Sequence, residues 1–229
     1  MKAKFVNENV FKSKELSPDE QKLWDMVKKY DSNILKTVVS RAQQSSGTEF
    51  EFEDLEPEHR SMVLDRLGPL VAEKVFWDSE RDLFMPGVEY AIKNGLNVNG
   101  LPLRVAIHYV NPERNNEEKI KFGKEMTKKL LDAGSTLKAK NYEGLKDAID
   151  IGDKDLLNII IKYDKTFDNP KAQWSTATKT LSLIKEKIKQ YKNWSNEYME
   201  EDDKNWLRYY DKAIKLEELG EWLEAKHLK

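Results

Sequence analysis

Six carboxylates fall within ten residues near position 50, and a histidine follows them directly. Such a stretch could hold a divalent cation, or it could form an acidic surface that imitates the phosphates of a nucleic acid. The alternative is a solvated strand edge followed by the acids that favour a helix start. Because the spacing lacks the central glycine and alternating ligands of a calcium loop, we expect no metal here. This acidic stretch consists of Glu49, Glu51, Glu53, Asp54, Glu56 and Glu58, and His59 follows it.

Other residue types that catalyse reactions are sparse. His59, His108 and His227 are the only histidines, and they come from distant segments, so a histidine metal triad is not expected. The chain has no cysteine, and it lacks a phosphate-cradling glycine loop, an H-E-x-x-H motif and a G-x-S-x-G motif. Paired carboxylates from separate elements stay an open alternative. We therefore predict a protein without catalytic activity, cofactor or metal.

Composition narrows the class of partner. Of the 229 residues 39% are hydrophobic and 35% are charged, and 39 basic residues face 41 acidic ones for a net charge of -2. A general polyanion binder normally has a basic excess, so no direct contact with nucleic acid is expected. No apolar run approaches the ~20 residues of a membrane span, and no signal-peptide core follows Met1. We expect a cytoplasmic protein that does not contact a membrane.

The pattern of apolar residues and the scarcity of glycine and proline predict an all-α chain. Residues 1–16 are interpreted as an extended arm. Ser17 and Glu20 form the capping box of a first helix, and Pro18 fits its first turn. The helical region 17–83 also contains a predicted helix over 34–42 and a short edge strand or hairpin at 48–53. Gly68-Pro69 interrupts its last helical run.

The C-terminal region, 168–229, is predicted to hold two long helices, the second over about 203–226. Apolar residues in the first of them recur at three and four residues, which is the spacing of a seam against another helix. That partner is either the chain's own core or last helix, or a second copy in a homodimer through 174–191; a monomer and a homodimer both stay open. The seam consists of Trp174, Ala177, Leu181, Ile184, Ile188 and Tyr191.

The middle of the chain contains an internal repeat. Three stretches align on Gly95, Gly134 and Asp164, and each has an apolar helix end, a predicted left-handed stop and then an alternating segment. Gly100-Leu101-Pro102-Leu103-Arg104-Val105-Ala106 resembles the opening of the ankyrin repeat, G-x-T-P-L-H-x-A, with leucine and arginine in place of threonine and histidine. Residues 144–161 resemble the next repeat through its inter-helix glycine and its apolar second helix.

The repeat lengths differ from those of the family. From Gly95 to Gly134 is 39 residues and from Gly134 to Asp164 is 30, against about 33 in ankyrin repeats. The excess falls at 111–116, where a longer loop between two helices is predicted. The resemblance covers about 84–167. A generic helical bundle with glycine C-caps is the alternative.

The ankyrin resemblance implies a short α-solenoid over 84–167, capped by the helices of 17–83 and 168–229 in one continuous body. It also implies partner binding at the exposed tips between repeats and in the groove behind them. Tyr142 is either an exposed interface anchor or folds back on a neighbouring repeat. The implied partner-binding residues are Asn97, Asn99, Thr136, Lys138, Lys140, Asn141 and Tyr142.

A second resemblance concerns the N-terminal arm. Phe5-Val6-Asn7-Glu8-Asn9-Val10-Phe11-Lys12 is similar to the opening of many uncharacterised tailed-phage proteins. It implies a phage protein that acts in the host cytoplasm. The function we expect is binding of another protein, such as a host, defence or regulatory protein or a phage component. The alternatives are a structural or assembly protein of the virion and an acidic inhibitor of a nucleic-acid-binding protein.

Overall fold

A computed structural model describes residues 16–29, 64, 68–138, 142–164, 172–200 and 205–228. All the secondary structure in these ranges is helical, as the sequence predicts, and it contains no strand. Residues 1–15 of the predicted arm, the predicted helix 34–42, the predicted strand 48–53 and the acidic stretch 49–58 lie outside the described residues. The chain divides into two compact units, 1–96 and 97–229, so the boundary falls inside the predicted repeat segment.

The first unit contains three of the described helices: α1 (Pro18–Val27), α2 (Pro69–Arg81) and α3 (Met85–Lys93). The predicted capping box is confirmed, because Glu20 N donates to Ser17 Oγ at 3.2 Å and Ser17 N donates to a Glu20 carboxylate oxygen at 2.9 Å. The predicted break at Gly68-Pro69 is also confirmed, since Pro69 starts α2. The core of this unit consists of Leu23, Trp24, Met26, Val27, Leu64, Val71, Val75 and Phe84.

The second unit contains two helix pairs and a long hairpin. The pairs are α4 (Leu101–Tyr109) with α5 (Glu117–Asp132), and α6 (Glu143–Ile151) with α7 (Lys154–Tyr163). The hairpin is α8 (Ala172–Glu200) with α9 (Asn205–His227). The first helices of the pairs, α4 and α6, lie side by side, and so do the second helices, α5 and α7. Helix α8 packs on α6 and α7, and α9 packs along α8.

Local backbone chemistry explains where these helices end. Gly134, which follows the C-cap residue Ala133 of α5, has a φ of 93°, as predicted for a left-handed stop. Gly152 ends α6 with a φ of 72°. The predicted long loop between α4 and α5 is present at 110–116. The left-handed stop predicted at Asp164 is wrong, since its φ and ψ are -68° and 121°. Asp164 is buried and accepts a hydrogen bond from Thr176 Oγ1 of α8 at 3.2 Å. The backbone at Asp164 is extended and not left-handed.

The apolar seam of α8 faces its own chain. Ala177, Ile184 and Tyr191 are buried, whereas Trp174 at the start of the seam is 54% exposed. On the facing helix, Ala213, Leu219 and Leu223 are buried. Helix α9 of the same chain packs along α8. The homodimer through 174–191 stays a prediction.

Candidate functional site

The two predicted tips in the second unit are joined by hydrogen bonds. Ser135 Oγ donates to the Val98 carbonyl at 2.7 Å, and Thr136 N donates to Asn99 Oδ1 at 3.1 Å. Within the first tip, Asn99 N donates to Asn97 Oδ1 at 3.2 Å. The structure therefore brings three of the predicted partner-binding residues together. The side chains of both asparagines are partly used to hold the tips in place.

The remaining predicted tip residues differ in accessibility. Lys138 is exposed, and its backbone N–H donates to Thr136 Oγ1 at 3.0 Å. Tyr142 is half-buried and has a φ of 63°, which is unusual for a residue with a large side chain. The Lys179 ammonium of α8 lies 5.0 Å from its ring centroid, within cation–π range. Lys140 and Asn141 lie outside the described residues.

A ladder of charged side chains connects the first helices of the two pairs. Arg104 Nε donates to Asp147 Oδ2 at 2.8 Å, and its Nη1 donates to Glu143 Oε2 at 3.1 Å. His108 Nε2 lies 3.0 Å from the same Asp147 oxygen. The hydrogen bond to Asp147 and the charge of both carboxylates raise the pKa of Arg104. Arg104, which stands where the ankyrin pattern has histidine, thus ties α4 to α6.

We name the surface made by Asn97, Asn99, Thr136, Lys138 and Tyr142 the tip surface. A small pocket lies between it and the ladder, with Gly100, Arg104 and Gly144 in its wall and a volume of about 50 Å³. Small-molecule sites usually measure about 300–1,000 Å³, so this pocket is too small for a cofactor. It has room for only a few atoms of one side chain.

A larger groove, which the sequence did not predict, lies beside the ladder. It has a volume of about 450 Å³ and runs between α6, residues 111–114 and the α8–α9 hairpin. Its cationic side chains are Arg114, Arg208, Lys212 and Lys215. We name it the hairpin groove. A sequence signal for it did exist, because Arg208, Lys212 and Lys215 recur at four and three residues on a predicted helix.

Tyr191 and Asp150 both line the hairpin groove. Tyr191 OH donates to Asp150 Oδ1 at 3.1 Å, and the Lys187 ammonium pairs with the other oxygen of the same carboxylate. Burial, followed by the negative charge of Asp150, raises the pKa of Tyr191 to about 12. Lys212 lies above the Tyr191 ring at 5.5 Å from its centroid. Asp150 is thus already neutralised by groups of its own chain.

The other predicted candidates can be placed only in part. His108 lies in the ladder, and His227 Nε2 lies 2.9 Å from Asn158 Oδ1, so the two histidines have different partners. Burial, and then the nearby charge of Lys226, lower the pKa of His227. Within the described ranges, no group of three or more His, Asp or Glu side chains has the geometry to hold a metal ion. The acidic stretch 49–58 is not among those ranges.

No helix in the described part of the chain is both long enough and apolar enough to cross a bilayer. All three surface features lie in the second unit: the tip surface, the ladder and the hairpin groove. Each of them includes residues of α4 and α6 or of the segments just before these helices. No protein-family model, no curated protein and no solved structure matches this chain.

Proposed function

We propose that the protein is a non-enzymatic interaction module, in which a short ankyrin-like stack presents the tip surface to another protein. The partner lies across the tips before α4 and α6 and contacts the ladder behind them. The similarity of residues 5–12 to tailed-phage proteins makes a host or defence protein the partner class that we propose.

The observation that carries this proposal is the fixed relation between the two tips. Two hydrogen bonds, from Ser135 Oγ and from Thr136 N, hold them together, and Arg104 ties the helices that follow. A surface that is ordered before binding loses less conformational entropy when a partner docks. The side-by-side packing of α4 with α6 and of α5 with α7 supports the ankyrin-like arrangement.

The packing of α8 bears on the assembly alternative. A homodimer through 174–191 would use a seam whose residues Ala177, Ile184 and Tyr191 are already buried within the chain. A protomer would have to open its own α8–α9 hairpin to offer that seam to a second copy. We therefore favour a monomer that binds a different protein.

Affinity capture with matched variants tests the proposal. Lys138→Ala with Tyr142→Asn removes the cation and the ring from the tip surface, and asparagine tolerates the left-handed backbone at 142. The control, Lys121→Ala with Glu125→Ala, changes two exposed residues of α5. Both variants must keep the wild-type circular dichroism spectrum. The tip variant is expected to lose a captured protein at least tenfold, while the control retains it.

The proposed role for the tip surface fails if the protein captured by the wild-type chain is recovered equally with both variants. It also fails if the α5 control loses that protein and the tip variant does not. A captured protein is then purified and titrated against the three chains, so that binding is measured as a Kd for a defined pair.

A further inference from the structure

We propose that the hairpin groove binds an acidic, extended peptide segment of the partner protein. This inference rests on the proposed interaction function and names the chemistry of one part of the partner. The groove lies in the same unit as the tip surface, and Asp147 belongs both to the ladder and to the groove wall.

The cationic side chains of α9 are the first reason to expect an acidic ligand in the hairpin groove. Arg208, Lys212 and Lys215 lie on one side of the helix and span about 10 Å along its axis at 1.5 Å per residue. None of the three forms an ion pair with a carboxylate of the described residues. Elsewhere on the hairpin, Lys185 pairs with Glu224 at 3.0 Å and Lys192 pairs with Glu217 at 2.6 Å. The groove cations thus differ from these paired lysines in having no anionic partner within the described chain.

The opposite wall adds to the positive charge. Arg114 also lacks an ion pair among the described residues. Of the three carboxylates in the wall, Asp147 already binds Arg104 and Asp150 already binds Lys187, which leaves Glu113. Among the described residues that line the groove, four cations therefore face one uncompensated carboxylate, in a chain whose net charge is -2.

The arrangement favours a peptide over other anions. Three cations in a row suit a linear ligand better than one compact phosphate group. In an extended peptide, alternate side chains on one face are about 6.6–6.8 Å apart, whereas these cations are about 4.5–6 Å apart along α9. The long, flexible side chains of arginine and lysine can span this difference.

A single-stranded nucleic acid would normally stack its bases on exposed aromatic rings. In this groove Tyr191 is only 9% exposed and lies beneath Lys212, so it offers no open ring face for stacking. A peptide needs no such face.

Fluorescence polarisation with the full chain tests the inference. The probe is a fluorescein-labelled ten-residue peptide with glutamate at alternate positions and serine between them. Arg208→Gln with Lys215→Gln should raise its Kd about tenfold, since two partly exposed ion pairs contribute about 1.4 kcal/mol together and that energy is a factor of ten. The control, Lys121→Gln with Lys189→Gln, changes the net charge equally at exposed positions outside the groove and should stay within twofold of wild type.

A charge reversal sharpens the test. Arg208→Glu with Lys215→Glu should bind a peptide with lysine at alternate positions, which the wild-type chain should not bind. Equal weakening in the groove variant and the control would overturn the inference, because it would reduce the effect to net charge. Tighter binding of a ten-nucleotide single-stranded DNA than of the acidic peptide would also overturn it.

Failure of this inference can be separated from failure of the proposed function. The tip variant, Lys138→Ala with Tyr142→Asn, leaves the groove cations in place and should bind the acidic peptide as wild type does. If the wild-type chain does not bind the peptide while the tip variant still loses the captured protein, the groove inference alone is wrong. If the peptide binds while the tip variant loses nothing, the tip assignment alone is wrong.

Discussion

Replacement of Gly123 by alanine should separate α4 from α5 and destabilise the second unit. A Cβ atom at this position would lie 2.6 Å from Tyr109 Cβ and 2.8 Å from the Ala106 carbonyl oxygen. Both neighbours belong to the α4 backbone or lie next to it, so no flexible side-chain end can move aside. Relief requires the helices to move apart by about half an ångström or more, which weakens the dispersion contacts along their interface.

The expected magnitude follows from two opposing terms. Overpacking of this kind costs about 1–3 kcal/mol, and the upper half of that range applies because a backbone atom is involved. Alanine in a helix interior regains about 1 kcal/mol relative to glycine. We therefore expect Gly123→Ala to lower the free energy of unfolding by about 1–2 kcal/mol.

Gly220→Ala is the matched control. Gly220 lies in the interior of α9, and a Cβ there would meet Ile184 Cγ2 at 3.5 Å and Leu181 Cδ1 at 3.7 Å, which are ordinary contact distances. The Gly220→Ala substitution gains the same helix propensity without a clash, so it should raise the free energy of unfolding by about 1 kcal/mol. Identical substitutions should thus have opposite signs.

Differential scanning calorimetry measures both variants against wild type. For a folded unit of this size, 1 kcal/mol shifts Tm by about 4 °C. We expect a fall of about 4–8 °C for Gly123→Ala and a rise of about 4 °C for Gly220→Ala. Hydrogen exchange should locate the loss of protection in α4 and α5. A Gly123→Ala protein as stable as Gly220→Ala would refute the close approach of α4 and α5.

Two further predictions concern single hydrogen bonds. Burial raises the pKa of the Tyr191 phenol to about 12, whereas the pKa of an unfolded tyrosine is about 10. Stability should therefore fall as pH rises through this window, by at most about 2–3 kcal/mol. Urea titrations from pH 9 to 11.5 should show a flatter profile for Tyr191→Phe; parallel profiles would contradict the burial of the Tyr191 phenol beside Asp150. Asn99→Ala removes the acceptor of the Thr136 amide, which should speed its hydrogen exchange about fivefold to tenfold. Asn97→Ala, which keeps that acceptor, should leave the exchange rate unchanged.

Features fixed by local backbone physics could be predicted from the sequence. The capping box at Ser17 and Glu20 needs only two polar side chains three residues apart. The helix break at Gly68-Pro69 follows from a residue that lacks a backbone donor. Gly134 adopts a left-handed conformation because glycine does so without steric cost. Each of these features involves neighbours in the sequence, so no tertiary information is required.

Features that depend on distant segments could not be predicted. Asp164 fits the left-handed stop by alignment, yet its buried carboxylate accepts from Thr176 in the next helix and the backbone is extended. The charge periodicity of Arg208 and Lys215 is visible in the sequence. Both residues lie across one groove from Arg114 only because α9 packs along α8 in the folded chain, and this packing is not visible in the sequence. The sequence predicts Tyr142 either to be exposed or to fold back on a neighbouring repeat. It is half-buried, and its ring lies beside Lys179 of α8.

The ladder joins α4 to α6 through charged side chains at the surface. Arg104 is 39% exposed, so its ion pairs contribute little to stability, about 1 kcal/mol or less. Its planar guanidinium nevertheless reaches two carboxylates one helical turn apart on α6, and both contacts are made in the observed register of α4 against α6. That register also sets the distance between the two tips and the position of Asp147 in the wall of the hairpin groove. Two surfaces with different proposed ligands are therefore built on the same pair of helices, which Arg104 joins.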